Sequence, residues 1–287
     1  MRPFFLSLKA IKKKDKAIVG SKAFRLYQLL KRNLPVPRAF VLTTHAFDLF
    51  FDKNSLFYLL ERLSTEDDRN ILENVCHELK RKIKIGYFPK ELEKEIKEEV
   101  VKNKFKALAI RSSATSEDLS FASFAGQFES YLNVELKRLL EFIKICWASL
   151  YEERVLFYTL YHKIPISKIK MAVLVQEMIK AGKGGVIFTK DVLKDNERVI
   201  VIEAVRGLGT QVVSGTAEPD RYIVEKRELT TIFKKLKNQK PVLSEKEIFE
   251  LASFGLLIEN YYKTSQDIEW AIKNGKIYLL QTRPITT

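Results

Sequence analysis

Asp267 to Arg283 reads DIEWAIKNGKIYLLQTR, and this stretch decides how the rest of the chain is understood. Two apolar, β-rich runs flank Asn274-Gly275, the dipeptide of a type I′ hairpin, where both central residues need a positive φ. On the first strand Asp267 and Glu269 stand two apart, so both carboxylates share one face, roughly 7 Å apart along the strand. The second strand ends in Gln281, Thr282 and Arg283, which set an amide, a hydroxyl and a guanidinium beside the acids. Mg²⁺ takes one or two carboxylates and leaves its other positions to phosphates and water, so the group suits a Mg²⁺-phosphate site. A salt-bridged amphipathic hairpin fits the segment alone equally well. A strict two-residue turn also pairs Ile268 with Gln281, on the face opposite Glu269. A bulge or strong twist is needed if both are to reach one phosphate.

Working outward, 287 residues allow one large domain or two modest ones, and 46% hydrophobic with 30% charged residues describe a globular protein. The longest apolar runs are strand-sized, so no membrane span is expected. The N-terminal MRPFFLSLKAIKKKDK has its lysines on the wrong side of too short an apolar run for a secretory signal. Cys76 and Cys146 fall in helical patterns without metal-ligand spacing, which suits buried thiols in a reducing cytoplasm. The net charge of +14 is spread over modest runs and interrupted by the acids of Glu91 to Glu99. That argues against nucleic-acid binding as the main role and for a basic site that takes polyanionic nucleotides.

Hydrophobic period predicts strands at Phe4–Leu8, Ala39–Leu42 and Ala107–Arg111, and later at Lys170–Met178, Gly185–Thr189, Arg198–Ala204 and Tyr222–Glu225. It predicts helices at Ser21–Lys31, Ser55–Leu63, Glu66–Ile85, Pro89–Lys102 and, as one long pattern, Leu136–Tyr161. Thr43 or Thr44 caps a further helix, and Ser244 with Glu247 forms a capping box for one reaching about Tyr262. The result is α+β with two lobes, residues 1–180 helix-rich and 181–287 strand-rich.

Arg111 ends a predicted buried strand, before the small-residue loop SSATSEDLSFASFAGQ of residues 112–127, whose hydroxyls and open amides suit phosphate oxygens. An ordinary polar loop with Arg111 in a structural ion pair accounts for the spacing as well. Gly20-Ser21-Lys22 opens a helix, where the dipole disfavours a lysine unless an anion neutralises it, so Lys22 is a candidate phosphate ligand. Gly182-Lys183-Gly184-Gly185 lacks the Walker A pattern and reads as a turn before Val186, and Gly207-Leu208-Gly209 lacks the rest of a dinucleotide fingerprint.

Eight blocks now fall in order: VGSKAFRLYQLL, LPVPRAFVLTTHAF, AIRSSATSEDLSFASFAGQFESYLNV, CWASLYEERVLFY, VLVQEMI, GGVIFTKD, VIEAVRGLGTQVVSGTAEPD and DIEWAIKNGKIYLLQTRPIT. From about Val19 to Thr286 the chain closely resembles the nucleotide-binding domain that opens phosphoenolpyruvate synthase and pyruvate phosphate dikinase. The resemblance implies an ATP-grasp fold with ATP held between two lobes, and Mg²⁺ as the metal. It implies that Lys22 and Arg111 lie on the triphosphate and that Ser123, Gly126 and Gln127 belong to a loop closing over it. It further implies Gln176, Glu177 and Met178 along the adenine, Thr189 and Glu203 lining the nucleotide cleft, and Asp267 and Glu269 on the metal. Gln281 and Arg283 would face the β- and γ-phosphates, with Lys22, Arg111 and Arg283 as the catalytic cations. The chain departs from the family pattern at Ser21, at Asn33-Leu34, at Asp191-Val192 in place of Asn-Pro, and at Thr210.

In the family this domain pyrophosphorylates a histidine on a swivelling domain and releases AMP, and a barrel then interconverts pyruvate and phosphoenolpyruvate. None of His45, His77 or His162 has the Gly-rich carrier context, and each reads as structural or surface. The implied partner is a phosphohistidine carrier with a pyruvate/phosphoenolpyruvate-binding domain on another chain. Two function classes follow: an ATP- and Mg²⁺-dependent phosphotransferase, or a nucleotide-binding regulatory module without turnover. A small-molecule (antibiotic) dikinase is a variant of the first.

Overall fold

The structure is a computed structural model that describes residues 3–115, 118–119, 122–123 and 130–285. The chain opens with β1 (Phe5–Ser7), α1 (Lys16–Leu30), β2 (Ala39–Leu42), α2 (Thr44–Lys53), α3 (Phe57–Thr65), α4 (Arg69–Ile85) and α5 (Lys90–Asn103). It continues through β3 (Leu108–Ala114), β4 (Asp118–Leu119), β5 (Ala122–Ser123), β6 (Ser130–Val134), α6 (Leu139–Ala148), α7 (Glu153–Tyr161) and β7 (Met171–Glu177). Local chemistry sets several of these ends. Thr43 caps α2 by accepting from the amide of His45 at 3.3 Å, and Asp68 caps α4 by accepting from those of Asn70 and Ile71.

The first sheet is antiparallel, in the order β1-β2-β7-β3-β6. Its central strands β2, β3 and β7 are buried almost throughout, because helices supply an aromatic layer over one face. Phe47, Phe50, Phe51, Trp147 and Tyr151 are fully buried there, and the Trp147 indole donates to the carbonyl of Met171 at 3.1 Å. The single helix expected over Leu136–Tyr161 is in fact two. Ser149–Tyr151 tightens into a 3₁₀ turn and Glu152 is extended, with φ −69° and ψ 145°. Ser149 Oγ donates to the carbonyl of Cys146 at 2.7 Å, and the turn lets both Leu150 and Tyr151 reach the core.

The second half adds β8 (Lys183–Phe188), β9 (Val199–Arg206), α8 (Thr210–Val213), β10 (Asp220–Glu225), β11 (Thr231–Lys235), α9 (Glu245–Tyr262), β12 (Gln266–Lys273) and β13 (Lys276–Pro284). Its sheet runs β11-β10-β9-β8-β12-β13, antiparallel at every pair. Helix α9 covers one face through Ile248, Leu251, Ala252, Gly255 and Ile258. The Ser244–Glu247 capping box starts it, and Lys183 grips Glu247 at 2.7 and 2.8 Å. Gly184 and Gly185, expected in a turn, lie inside β8. A Cβ on Gly185 would collide with the carbonyl of Glu203, and one on Gly184 with the amide of Gly209, so glycine permits the backbones to cross closely.

The chain divides into two compact units, one of Met1–Tyr27 with Arg38–Met178 and one of Gln28–Pro37 with Ile179–Thr287. The sequence boundary at residue 180 places residues 28–37 with the first lobe. Their partners are in the second unit: Gln28 bonds the hydroxyls of Tyr261 and Tyr262, Arg32 stacks on Tyr261, and the carbonyl of Pro35 accepts from the amide of Leu279 at 2.7 Å. Among the described residues no helix is long and apolar enough to cross a membrane.

Candidate functional site

Asn274 and Gly275 take φ of 52° and 73°, as a type I′ turn requires, and the ladder from Lys273–Lys276 to Trp270–Leu279 follows the strict register. Between Glu269 and Trp270 the register shifts, with Leu280 as the extra residue. Past that bulge Glu269 pairs with Gln281 and Asp267 with Arg283. The bulge that a shared face demands is present, and all four polar side chains stand on one side of the sheet. Gln281 Nε2 donates to Glu269 Oε1 at 3.2 Å, and Arg283 places Nε and Nη2 at 2.8 and 2.7 Å from Asp267 Oδ2. Ile268 and Trp270, in between, are buried on the side of α9.

The same face continues across the sheet. Glu269 pairs with Val186 on β8, Val186 with Glu203 on β9, and Glu203 with Arg221 on β10. Burial pushes the Asp267 carboxyl above the usual carboxylate range, the Arg283 guanidinium works against that, and Glu269 adds to it. Burial raises Glu203 as well, opposed by Arg221. A half-buried carboxylate face of this kind favours a cation over it. Asp267 and Glu269 are hard oxygen donors, and among the described residues no cluster of three His, Cys, Asp or Glu gathers. Two carboxylates fit Mg²⁺ that is also held by phosphates, and do not fit an all-protein Zn²⁺ or Ca²⁺ cage.

In the first unit, α1 breaks at Gly20, which has φ 73° and ψ 172°, and restarts at Ser21. A Cβ on Gly20 would collide with the carbonyl of Ser113. The Ser113 hydroxyl spans the break, donating to the carbonyl of Val19 at 2.8 Å and accepting from the amide of Ala23 at 3.1 Å. Lys22 is therefore in the first turn of a helix clamped to β3. Arg111 stands two residues before Ser113 and so on the same side of that strand. It is mid-strand rather than at a strand end, 3% exposed, with Nη1 3.5 Å from Ser130 Oγ.

The other expected residues are placed unevenly. Gln176, buried, and Glu177 close β7 beside Met178, whose amide donates to the carbonyl of Ala107; Glu177 binds Arg38 at 2.9 Å. Thr189 is a correction. It lies on the α9 side, opposite the carboxylate face, where its hydroxyl donates to Glu259 at 2.8 Å and accepts from the amide of Gln266 at 2.8 Å. Strand alternation puts it there, one residue out of phase with Val186 and Phe188. Ser123 falls in the short strand β5, while Gly126 and Gln127 lie outside the described residues. His77 pairs with Glu153, His162 stacks on Tyr158, and the amide of His45 is used by the cap of α2. Arg221 on β10, opposite Glu203, is a neighbour of this face that the sequence reading does not single out.

The chain is 36% identical over 99% of its length to a probable phosphoenolpyruvate synthase of Methanocaldococcus jannaschii, covering 27% of that protein. It is 38% identical over 96% of its length to one from Methanothermobacter thermautotrophicus, covering 45% of it. The rifampicin phosphotransferase of Bacillus cereus matches at 33% over the whole chain and 36% of its own length. The chain thus spans between about a quarter and a half of the curated relatives it matches. Among solved structures, D-alanine–D-alanine ligase from Bacillus anthracis aligns at a TM-score of 0.34 and 9% identity, covering 96% of this chain and 67% of that one. The family described as pyruvate phosphate dikinase, AMP/ATP-binding domain, matches residues 16–240 and 231–287, and the chain belongs to that family.

Proposed function

We propose that this chain binds Mg²⁺-ATP and is the ATP-handling part of a phosphotransferase of the phosphoenolpyruvate synthase type. In this reading it pyrophosphorylates a histidine supplied by a separate domain or chain and releases AMP. The bulged hairpin carries the proposal, because it puts Asp267, Glu269, Gln281 and Arg283 on one face when a regular hairpin would divide them. Asp267 and Glu269 would hold Mg²⁺, which supplies charge neutralisation to the phosphate oxygens. Arg283, resting on Asp267, is the neighbouring cation able to turn to a phosphate, and Gln281 offers an amide donor beside it. Lys22, at a helix start, and Arg111, nearly buried, are the two further cations proposed for the triphosphate. Their work is electrostatic: they balance charge that develops as the pyrophosphoryl group moves, and the nucleophile must be delivered in line. His45, His77 and His162, engaged elsewhere, are not that nucleophile. Gln176, Glu177 and Met178 are proposed along the adenine and Glu203 in the cleft.

A phosphoenolpyruvate synthase reading makes pyruvate the final acceptor. The match to rifampicin phosphotransferase across the whole chain supports a second reading, in which the acceptor is a small antibiotic-like molecule. A regulatory role without turnover is disfavoured by the retention of three cations and two acids in matching positions. Calorimetry tests the proposal directly. ATP should bind more tightly with Mg²⁺ than without, and Lys22→Ala or Arg111→Ala should each lose about 1.5–3 kcal/mol, the worth of a charge-assisted phosphate contact. Unchanged affinity in both variants would sink it. The chain alone should make little AMP. A phosphohistidine-domain partner should restore AMP formation, and the same partner with its histidine replaced by alanine should not.

A further inference from the structure

One row of in-register residues crosses the second sheet from β13 to β11: Gln281, Glu269, Val186, Glu203, Arg221 and Lys235. The nucleotide reading uses its acidic end and leaves a partly buried cation at the other. Arg221 Nη2 donates to Asp191 Oδ1 at 3.2 Å, and Asp191 is 2% exposed. That carboxylate is itself held in place. Its Oδ1 also accepts from the amide of Leu193 at 3.1 Å, and backbone bonds to Asn196 at 2.9 and 3.0 Å close the loop around it. Arg221 Nε is buried with no hydrogen-bond partner. A guanidinium carries five donors in a rigid plane, so a tether at one nitrogen fixes its direction and leaves its charge available. The residue directly opposite on β9 is Glu203, and Cβ atoms of such a pair lie about 4.5–5.5 Å apart.

We propose that Arg221 is a positioning residue of the nucleotide site: anchored by Asp191, it fixes the Glu203 carboxylate on the face that Glu269 and Gln281 share. The inference rests on the Mg²⁺-ATP reading above and extends it to the end of the row away from the hairpin. Glu203 needs such a partner. On β8 its neighbour is the apolar Val186, and the next charge in that direction is Glu269, of like sign. Helix α8, packed against β8 and β9, carries no charge, and Lys235 stands beyond Arg221. Burial raises the Glu203 carboxyl, and Arg221 is the group that opposes it. Removing the guanidinium lets the carboxyl take a proton at higher pH, and a protonated acid has lost the charge that makes it a strong acceptor towards a nucleotide or metal-bound water.

The test is ATP-Mg²⁺ affinity by calorimetry at pH 6 to 8 for the wild type, Arg221→Met, Arg221→Lys and Glu203→Gln. The terminal phosphate of ATP titrates alike in every protein, so the ratio to wild type is the readout. Arg221→Met should lose severalfold relative to wild type at pH 6 and recover towards pH 8. Arg221→Lys should restore most of the loss. In the Glu203→Gln background Arg221→Met should add no pH dependence. If Arg221→Met fails to fold, Asp191→Asn, which loosens the anchor, should show the same trend at smaller size. A ratio flat with pH, or a lowered melting temperature with affinity unchanged, would reduce Arg221 to a structural partner of Asp191. No ATP heat in the wild type would overturn this inference together with the reading on which it rests.

Discussion

The two sheets of this protein are built from similar strands and put to different use. In the first, β3 is buried along its length and β7 as far as Gln176, with the aromatic helical core over one face. Its candidate cations therefore sit where an element begins or a serine interrupts: Lys22 at a helix restart, Arg111 in a strand that ends Ser112-Ser113-Ala114. In the second sheet, β10 and the first half of β12 alternate buried and half-buried residues, because α9 covers one face only. The other face keeps Glu203, Glu269, Asp267 and Arg221 in rows. A sheet sealed on both sides can hold a charge only with nearly full desolvation, so it holds few. One sealed on a single side can carry carboxylates at moderate cost.

The sharpest way to break this contrast is to attack each layer where it is thickest. Trp147 is fully buried, stacked on Phe88 at 5.5 Å and edge-on to Phe47 at 5.9 Å. Trp147→Ala should cost about 3–5 kcal/mol in denaturant unfolding, as large-to-small core changes do. On the open sheet, no side chain of the carboxylate face should approach that figure. An equally large loss from Glu269→Gln would mean that this face is structural after all.

Gly185→Ala should come next. The added methyl meets the carbonyl of Glu203 and the ring of Trp270, so β8 must shift from β9 and disturb both faces at once. A loss of about 1–3 kcal/mol is expected for such overpacking, with ATP affinity falling alongside. Gly275→Ala meets nothing within 4 Å and bears only the strain of its φ of 73°, about 1 kcal/mol, with affinity retained. Equal losses in the two variants would show that backbone conformation, not the close crossing, explains Gly185.

What could be read from sequence follows the range of the forces involved. The Asn274-Gly275 turn, the Ser244–Glu247 box and the Thr43 cap are local, and all three are formed. The need for a bulge was legible from counting residues around the turn; its position at Leu280 was not, because it depends on which side chains α9 buries. Thr189 was misplaced because resemblance names a position without giving its phase on the strand. The strand at Gly184-Gly185 and the membership of residues 28–37 come from contacts distant in sequence, and the break at Ser149–Tyr151 joins a local bond from Ser149 to Cys146 with burial of Leu150 and Tyr151. Periodicity does not contain these, since Pro35 meets Leu279 across more than two hundred residues.

The smallest effect is also the most discriminating. Asp267 is raised by burial against the pull of Arg283, so its folded pKa lies above its unfolded one. The folded state then holds the proton more strongly. The charged form is penalised at neutral pH, and stability from this group rises as pH falls through the folded value, opposite to a carboxylate stabilised by its partner. Asp267→Asn keeps the shape and removes the charge. At pH 7 it should be as stable as wild type or slightly more so, by no more than about 1 kcal/mol given the half-exposed Arg283 pair. That difference should shrink below pH 4, while Mg²⁺-dependent ATP affinity falls at neutral pH. Paired melts at pH 7 and pH 4 check the sign. A variant clearly less stable at pH 7, with metal dependence intact, would mean that Asp267 serves Arg283 and the hairpin rather than a cation.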